Sequence, residues 1–375
     1  MSNAKLQKMV KYFLFTALLF TGLLQSQSDT EATIIKNREY KNYDSTRYTK
    51  FERVLIVGIF QQYRTFETNI SQKFDEVRDS LGLTSLNYIA ESNFTGGVVL
   101  SYDKFQLAFG TRNKPQEDNE GRGYTKMFNI GLNVGDNRWI SETYFRRFKG
   151  FYNDNRRVLD STDQAKPNYF YLLPGLTSQL FSSRFMYFTN YPNFAYKAGF
   201  GCNFRQLKSS ATWILGGSIS HYSFYNDSSI VPLKSRPFYN DYANMRGFNS
   251  LNFAFNAGAA ATLVLFKAWY ASLYFTVGPE QQWRNYDFTT NHRKLSYISW
   301  SGTGRFSMGL NMKRFYMYYC FTNDYNLYDS GTPKNKTVEF RVNSITNNFT
   351  LGWRFNVKTP KFYEKFMETK LYSKL

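Results

Sequence analysis

The chain has 375 residues, of which 19% are aromatic, with a mean hydropathy of −0.49 and a formal net charge of +19. No internal segment reaches the roughly 18 consecutive apolar residues that a spanning helix needs, which argues against an α-helical membrane protein. Many aromatic residues with low mean hydropathy instead suit a β-barrel, in which half of each strand faces lipid and aromatic girdles mark the two interfaces.

The first residues have the pattern of a targeting segment. Lysines form a basic start, and residues 12–24 form an apolar core. Small residues follow at Ser26 and Ser28, and cleavage after either one fits the pattern. We therefore interpret residues 1–28 as a secretory signal peptide, with an N-terminal membrane anchor as the alternative. Residues 29–50 are polar and irregular, which indicates a periplasmic lead-in.

The first half of the chain after this lead-in contains short strand patterns of uneven quality. Residues 86–91 are the weakest strand candidate. Alternating or apolar runs bounded by turn residues predict the other strands of this half. These strands are residues 53–66, 97–101, 105–109, 124–134 and 138–151.

The clearest strand pair lies at residues 249–277. In its first arm, Phe253 and Phe255 alternate with Asn252 and Asn256. This period of two is typical of a strand between two different environments. Each arm is long enough to cross a bilayer, which needs roughly 9–11 tilted residues. The same alternation predicts further strands at residues 176–189, 194–207, 213–225, 296–310, 314–325 and 338–357.

The two cysteines, Cys202 and Cys320, fall inside predicted strands. Two widely separated cysteines do not make a disulfide framework. Cys202 shares a strand face with Ala198 and Phe200, so we interpret it as a small residue of the barrel wall.

The connections between the later strands indicate the kind of sheet. They alternate between long and short, as in outer-membrane barrels with long outer loops and short periplasmic turns. The strand patterns number roughly 13, whereas bacterial single-chain barrels have an even number. We therefore predict an all-β chain: a transmembrane antiparallel up-and-down β-barrel of about 12 strands (range about 10–14) over residues 51–357. Residues 358–375 form a basic, amphipathic tail that we predict to be periplasmic. A soluble two-sheet β-protein is the alternative fold.

The last predicted strand carries a candidate assembly signal. Thr350, Gly352, Phe355 and Val357 give a polar residue, a glycine and two apolar residues at alternate positions. The pattern resembles the C-terminal β-signal that the barrel-assembly machinery reads, and an exposed strand edge offers backbone groups for such pairing. Gly352 permits close backbone approach. An ordinary edge strand is the alternative interpretation.

Four sequence blocks stand out in the middle of the chain. They are Tyr187-Phe188-Thr189-Asn190, Asn193-Phe194-Ala195-Tyr196-Lys197-Ala198-Gly199-Phe200, Arg205-Gln206-Leu207-Lys208-Ser209-Ser210 and Asn226-Asp227-Ser228-Ser229-Ile230-Val231-Pro232. Together they resemble a family of uncharacterised Bacteroidota proteins. That family carries a signal peptide and is regarded as outer-membrane-barrel-like, with no assigned activity. The resemblance therefore implies a fold and a location, and it implies no mechanism and no catalytic residue.

Few residues suggest chemistry. The chain has two histidines, of which His221 lies near Ser218 and Ser220, as a lipid hydrolase of the membrane face would require. In the predicted strand, His221 lies on the same face as apolar residues, whereas Ser218 and Ser220 lie on the opposite face. We therefore prefer to interpret His221 as a residue packed in the aromatic girdle of the barrel. Residues 117–120 contain three carboxylates but lack a calcium-loop pattern, which favours a solvated loop. We predict no enzymatic activity, no cofactor and no metal.

Polar residues on the inner strand face are the better functional candidates. Asparagine and arginine could line a small anion-preferring pore, or they could interlock into a hydrogen-bonded plug. By strand parity the candidate lumen-lining residues are Asn129, Asn133, Lys197, Asn203, Arg205, Asn252, Asn256, Arg305 and Arg354.

Three functions follow for a protein of the outer membrane of a Gram-negative bacterium. The first is a small pore or surface-binding barrel with a basic lumen. The second is a non-conducting structural subunit of an envelope complex, which docks through residues 358–375 and the loops. The third and least favoured is a membrane-embedded lipid hydrolase. The expected partners are outer-membrane lipid and lipopolysaccharide, the barrel-assembly machinery and envelope proteins, and not nucleic acid, because a secreted chain rarely meets it.

Overall fold

A computed structural model describes most of the chain after its first 42 residues. The predicted signal peptide, residues 29–42 of the lead-in and the acidic loop at residues 117–120 lie outside the described residues. The described residues are 43–72, 83–91, 94–112, 121–154, 170–266, 268–329, 338–369 and 372.

Antiparallel strands make up most of the described chain. They are β1 (Tyr48–Lys50), β2 (Val54–Gln72), β3 (Ser85–Ala90), β4 (Phe94–Tyr102), β5 (Phe105–Arg112), β6 (Lys126–Gly135), β7 (Trp139–Asn153), β8 (Tyr171–Phe188), β9 (Phe204–Gln206), β10 (Ser210–Tyr225), β11 (Met245–Leu265), β12 (Trp269–Phe288), β13 (His292–Asn311), β14 (Phe315–Asp329) and β15 (Val338–Asn356). Three short helices accompany them: α1 (Tyr196–Phe200), α2 (Arg236–Tyr239) and α3 (Lys361–Met367). In this part of the chain, no helix is long and apolar enough to span a membrane.

The long strands close into a ring. Each pairs with its neighbours in the order β2–β4–β5–β6–β7–β8–β10–β11–β12–β13–β14–β15, and β15 returns to pair with β2 along its whole length. The predicted transmembrane antiparallel up-and-down β-barrel of about 12 strands is confirmed. Closure removes the free strand edges that an open sheet would expose.

The weakest strand candidate, at residues 86–91, leaves the strand number of the ring unchanged. The odd number of strand patterns comes instead from residues 194–207, which do not form a wall strand. β3 is a strand, but it does not add a place to the ring, because β2 pairs with β4 through Leu55–Tyr63 and with β3 through Phe66–Ser71. β3 also reaches β7, where Tyr88 faces Asn153. β3 and β4 are therefore two successive parts of one side of the wall.

The outer face of the ring is apolar. Trp213, Phe255 and Ile298 are 71%, 62% and 66% exposed, and their strand neighbours on the inner face are largely buried. Burying apolar surface is worth about 25 cal/mol per Å² relative to water, so exposing such a continuous outer face to water is costly, as expected of a barrel wall that faces lipid. The alternation predicted at residues 249–265 is present along β11.

The two ends of the barrel have different connections. At the end where β2 begins, here called the turn end, Asp103-Lys104 and Met312–Arg314 are tight turns. At the opposite end, here called the loop end, residues 226–244 form a long connection that contains α2. Because the strands run up and down, every second connection lies at the same end.

One connection at the turn end departs from this pattern. Residues 189–209, here called the inserted segment, contain α1 and β9 and lie inside the ring. The predicted wall strand at residues 194–207 is therefore wrong, and Cys202 is a buried residue of the inserted segment instead of a wall residue. The alternating pattern misled because this segment is apolar for a different reason, namely that it is packed inside the barrel.

An aromatic cluster fills the lumen at the loop end. Tyr222 stacks on Tyr328 with ring centroids 5.5 Å apart, and Phe248 packs on Phe340 at 4.8 Å. Tyr239 of the long connection donates a hydrogen bond to the Ile70 carbonyl at 2.9 Å, which ties that loop into the cluster. The buried aromatic members are Phe66, Tyr88, Phe148, Phe151, Tyr222, Phe224, Tyr239, Tyr242, Phe248, Tyr286, Phe288, Tyr328 and Phe340.

Candidate functional site in the barrel lumen

Between the aromatic cluster and the inserted segment, the lumen is polar and charged. Asp324 of β14 is at its centre, with Oδ1 accepting a hydrogen bond from the Thr303 hydroxyl at 3.0 Å. Arg184 donates to the same hydroxyl at 2.8 Å and lies 3.5 Å from the carboxylate. Arg146 approaches the other carboxylate oxygen to 3.6 Å and stacks over Tyr144. Four strands are thus linked through one carboxylate.

A second charged pair connects the wall to the inserted segment. Arg305 of β13 forms an ion pair with Glu142 of β7 at 2.8 Å. Tyr196 of α1 donates a hydrogen bond to the same carboxylate at 2.9 Å. Charge-assisted hydrogen bonds of this kind are roughly twice as strong as neutral ones, so Tyr196 is firmly held against the wall.

A third polar group lies along β12. Gln282 donates a hydrogen bond to Glu280 at 2.5 Å and accepts one from Arg284 at 2.8 Å. Ser218 and Asn256 lie across from this strand on the inner face. Ser218, Asn256 and Glu280 line a small cavity of about 30 Å³, enough for roughly two water molecules.

The inserted segment closes the turn end through its backbone carbonyls. The Gly199 carbonyl accepts hydrogen bonds from Ser307 at 2.6 Å and from Tyr270 at 3.2 Å. Arg354 donates to the Cys202 carbonyl at 2.7 Å. Lys197 donates to the Gly135 carbonyl at 2.8 Å, and burial lowers its pKa to about 8. Buried backbone groups need such partners, and the wall residues supply them.

The end of the lead-in joins this closure. β1 pairs antiparallel with β9, and Lys50 forms an ion pair with Asp136 at 2.7 Å. Burial opposes the charge on Lys50, but the carboxylates of Asp136 and Glu52 together outweigh it and raise its pKa. The last residues before the barrel therefore hold the inserted segment from outside.

The C-terminal tail also folds onto the turn end. Tyr363 of α3 donates a hydrogen bond to Asp103 at 2.9 Å, and Lys104 donates to the Tyr372 carbonyl at 2.8 Å. Both acceptor and donor belong to the turn between β4 and β5. The tail is thus attached to the barrel through at least two side chains.

The predicted lumen residues lie in three different places. Asn252, Asn256 and Arg305 are on the inner wall between the two closures, and Asn129 and Asn133 are on the face of β6 opposite the exposed Phe128 and Leu132. The remaining four are at the turn end. Arg354 is on the wall there, whereas the inserted segment carries Lys197, Asn203 and Arg205.

Several charged residues of the lumen were missed by the sequence prediction. Arg284 lies between the strands predicted at residues 249–277 and 296–310, but β12 and β13 extend through nearly all of this interval. The signal was present, since the exposed Trp283 alternates with buried Gln282 and Arg284. The same inner-face parity gives the other missed members, which are Arg64, Glu142, Arg146, Arg184, Glu280 and Asp324.

The candidate hydrolase pair is not assembled. Ser218 and Ser220 line the internal cavity, whereas His221 is exposed on the outer face. Because the serines and His221 lie on opposite faces of the strand, their closeness in sequence no longer supports a Ser–His catalytic pair. Among the described residues, no group of three or more His, Cys, Asp or Glu side chains could hold a metal ion.

The candidate assembly signal lies at the end of β15. Thr350 is buried on the inner face and Gly352 lies against the Tyr316 ring. Phe355 and Val357 are exposed at the outer face. That the barrel-assembly machinery recognises this signal stays a prediction.

Comparisons with known proteins give a family and distant structural similarities. The outer membrane protease OmpT of Escherichia coli is similar over 82% of this chain and 98% of its own, with 7% identity and a TM-score of 0.37. The β domain of the Bordetella autotransporter BrkA is similar over 80% of this chain and 99% of its own, with 12% identity and a TM-score of 0.30. The Pseudomonas putida toluene transporter TodX is similar over 81% of this chain and 91% of its own, with 8% identity and a TM-score of 0.24.

These similarities are too weak to argue for any activity. A comparison with curated proteins finds no match. The family model described as a domain of unknown function (DUF4421) matches residues 42–355, which is most of the chain, and the chain therefore belongs to this family.

Proposed function

We propose that this protein is a closed outer-membrane barrel, a structural subunit that offers its two ends, and not its lumen, to other envelope components. The observation that carries the proposal is the filling of the lumen at three successive levels. Aromatic rings fill the loop end, ion pairs cross the middle, and the inserted segment fills the turn end.

The turn end supports a docking role. Three separate parts of the chain come together there, namely the lead-in at β1, the inserted segment and the tail with α3. A barrel that served only as a conduit would gain nothing from covering its turn end with these segments. Envelope proteins on the periplasmic side are the partners that such a surface would meet.

The location and the lipid partners belong to the same proposal. An apolar outer face supports residence in a membrane, and only closed barrels and helices satisfy their backbone groups there. The net charge of +19 suits contact with anionic headgroups and lipopolysaccharide phosphates. The signal at residues 350–357 suits delivery by the barrel-assembly machinery.

Planar-bilayer recording of the folded full chain tests the closed lumen. We expect no steady conductance from the protein. A variant in which residues 191–209 are replaced by a two-residue Asn-Gly turn is the positive control and should conduct. Folding of both proteins is checked by the shift in gel mobility between unheated and boiled samples. Steady, ohmic conductance from the folded unmodified barrel would overturn the proposal.

A gated anion pore is the second candidate, and the arginines of the middle layer favour it. In such a pore the inserted segment would leave the lumen on a signal from the periplasm. Locking the segment by a cross-link between β1 and β9 distinguishes the two functions. A pore would lose its conductance on cross-linking, whereas the closed barrel would show none in either state.

A further inference from the structure

The middle layer of the lumen carries an excess of positive charge. Its charged residues project inward from six strands. Among the described residues they are the five arginines Arg64, Arg146, Arg184, Arg284 and Arg305 and the three carboxylates Glu142, Glu280 and Asp324. The formal excess is two positive charges. Arginine remains protonated in proteins, so this excess cannot be removed by loss of a proton.

The carboxylates do not reach all of the arginines. Glu142 is used by Arg305, and Asp324 is shared between Arg146 and Arg184 at 3.6 and 3.5 Å. Within the described chain, Arg64 forms no ion pair. An isolated charge inside a barrel wall is costly unless another charge or several hydrogen bonds compensate it.

Arg64 combines deep burial with an unused donor. The residue is 5% exposed, and its Nε donates to the Thr346 hydroxyl at 2.9 Å. Its Nη1 is buried without a hydrogen-bond partner, and so is Nε of Arg146. Both arginines adjoin Asp324. Arg146 approaches its carboxylate to 3.6 Å, and Arg64 lies opposite Thr346 of β15, two residues from Ser344, which is opposite Asp324. Two cations with free donors therefore lie around one carboxylate, and their charges repel each other.

We propose that Arg64 and Arg146 form a binding site for a small oxyanion, such as phosphate, sulfate or a carboxylate, inside the lumen. The planar guanidinium group presents its donors in a fork that matches two oxygens of such an anion. A dianion would also cancel the formal excess of two charges in this layer. Thr346 orients Arg64 within the site.

The neighbouring cavity determines where the anion binds. Its lining includes Tyr144, Asp324 and Glu280, but neither Arg64 nor Arg146. Glu280 and Asp324 would both repel an anion placed in the cavity. At the Arg64–Arg146 pair two cations outweigh the one carboxylate of Asp324, which assigns the anion to the pair. The space of about 30 Å³ then holds water that can complete the hydrogen bonds of the anion.

Equilibrium dialysis with radiolabelled sulfate or phosphate tests the site. The folded full chain is dialysed in non-ionic detergent against a constant chloride background, and a second sample is refolded with the anion present, since the lumen is closed. We expect saturable binding of one anion per chain in at least one sample. Competition by acetate distinguishes a site for carboxylates from one for tetrahedral anions.

Matched variants locate the binding. Arg64→Gln and Arg146→Gln should each weaken it at least about tenfold, because each removes a charge-assisted hydrogen bond. Arg341→Gln removes an exposed arginine that pairs with Glu339 and should leave binding unchanged. If Arg64→Gln does not fold, Arg146→Gln carries the comparison.

Two results would overturn the site: no saturable binding by the unmodified protein in either sample, or full binding by a folded Arg64→Gln or Arg146→Gln variant. Neither result bears on the closed lumen, which the conductance measurement tests separately.

Discussion

The two ends of the lumen are closed by different means. At the loop end, the aromatic cluster is built largely from side chains of the wall strands themselves. At the turn end, the inserted segment brings its own backbone into the lumen and is held by hydrogen bonds from Ser307, Tyr270 and Arg354. The first closure cannot be removed without disrupting the wall. The second belongs to one connecting segment, so it can separate from the wall as a unit when its hydrogen bonds and its ring contacts with Phe188 and Tyr274 are lost.

The largest effect is expected at the loop end. Phe248→Ala leaves a cavity among Phe340, Tyr222 and Tyr286, and such substitutions cost about 3–5 kcal/mol of unfolding free energy. Denaturant titration in detergent, followed by tryptophan fluorescence, measures it. Phe255→Ala, on the lipid-facing side, is the matched control and should cost far less. Equal losses in the two variants would contradict a packed seal.

A smaller loss of stability but a larger loss of closure is expected at the turn end. Arg354→Met removes the donors to the Cys202 and Met312 carbonyls, which should cost about 1–3 kcal/mol. The freed segment should expose the Cys202 thiol, so its reaction with a maleimide, in a Cys320→Ser background, should become faster.

The same labelling sharpens the comparison between the two ends. Phe248→Ala should leave the reaction of Cys202 slow, even though it is the more destabilising change. If Phe248→Ala accelerates labelling as much as Arg354→Met does, the two closures are not independent.

The smallest effect is a dependence of stability on pH. The pKa of Lys197 is about 8 in the folded protein and 10.5 in a model peptide, so the unfolded chain binds more protons between these values. The free energy of unfolding should therefore rise with pH in this window, by at most about 1.4 kcal/mol per pH unit. Comparison with Lys197→Met isolates this contribution from other groups, and an unchanged slope in that variant would contradict it.

The sequence predicted the wall well and the interior poorly. The alternation of Phe253 and Phe255 with Asn252 and Asn256 is a local property of one strand, so it could be read directly. The fold of residues 194–207 is not local. It depends on donors at Ser307 and Arg354, which are more than 100 residues away in the chain.

The arginine cluster was hidden for a related reason. Arg64, Arg146 and Arg184 come from β2, β7 and β8, and only ring closure brings them near Asp324 of β14. Parity alone identifies each as an inner residue, but it cannot say which of them meet. The pairing of β15 with β2 supplies that information.

The double partnership of β2 has a consequence for the width of the barrel. β4, β5 and β6 are only 9, 8 and 10 residues long and end where β3 takes over and reaches β7. The perimeter thus loses two strands towards the loop end, or about 10 Å at roughly 4.8 Å per strand. The barrel is a funnel. Aromatic side chains are enough to fill the narrow loop end, whereas the wide turn end is filled by the inserted segment.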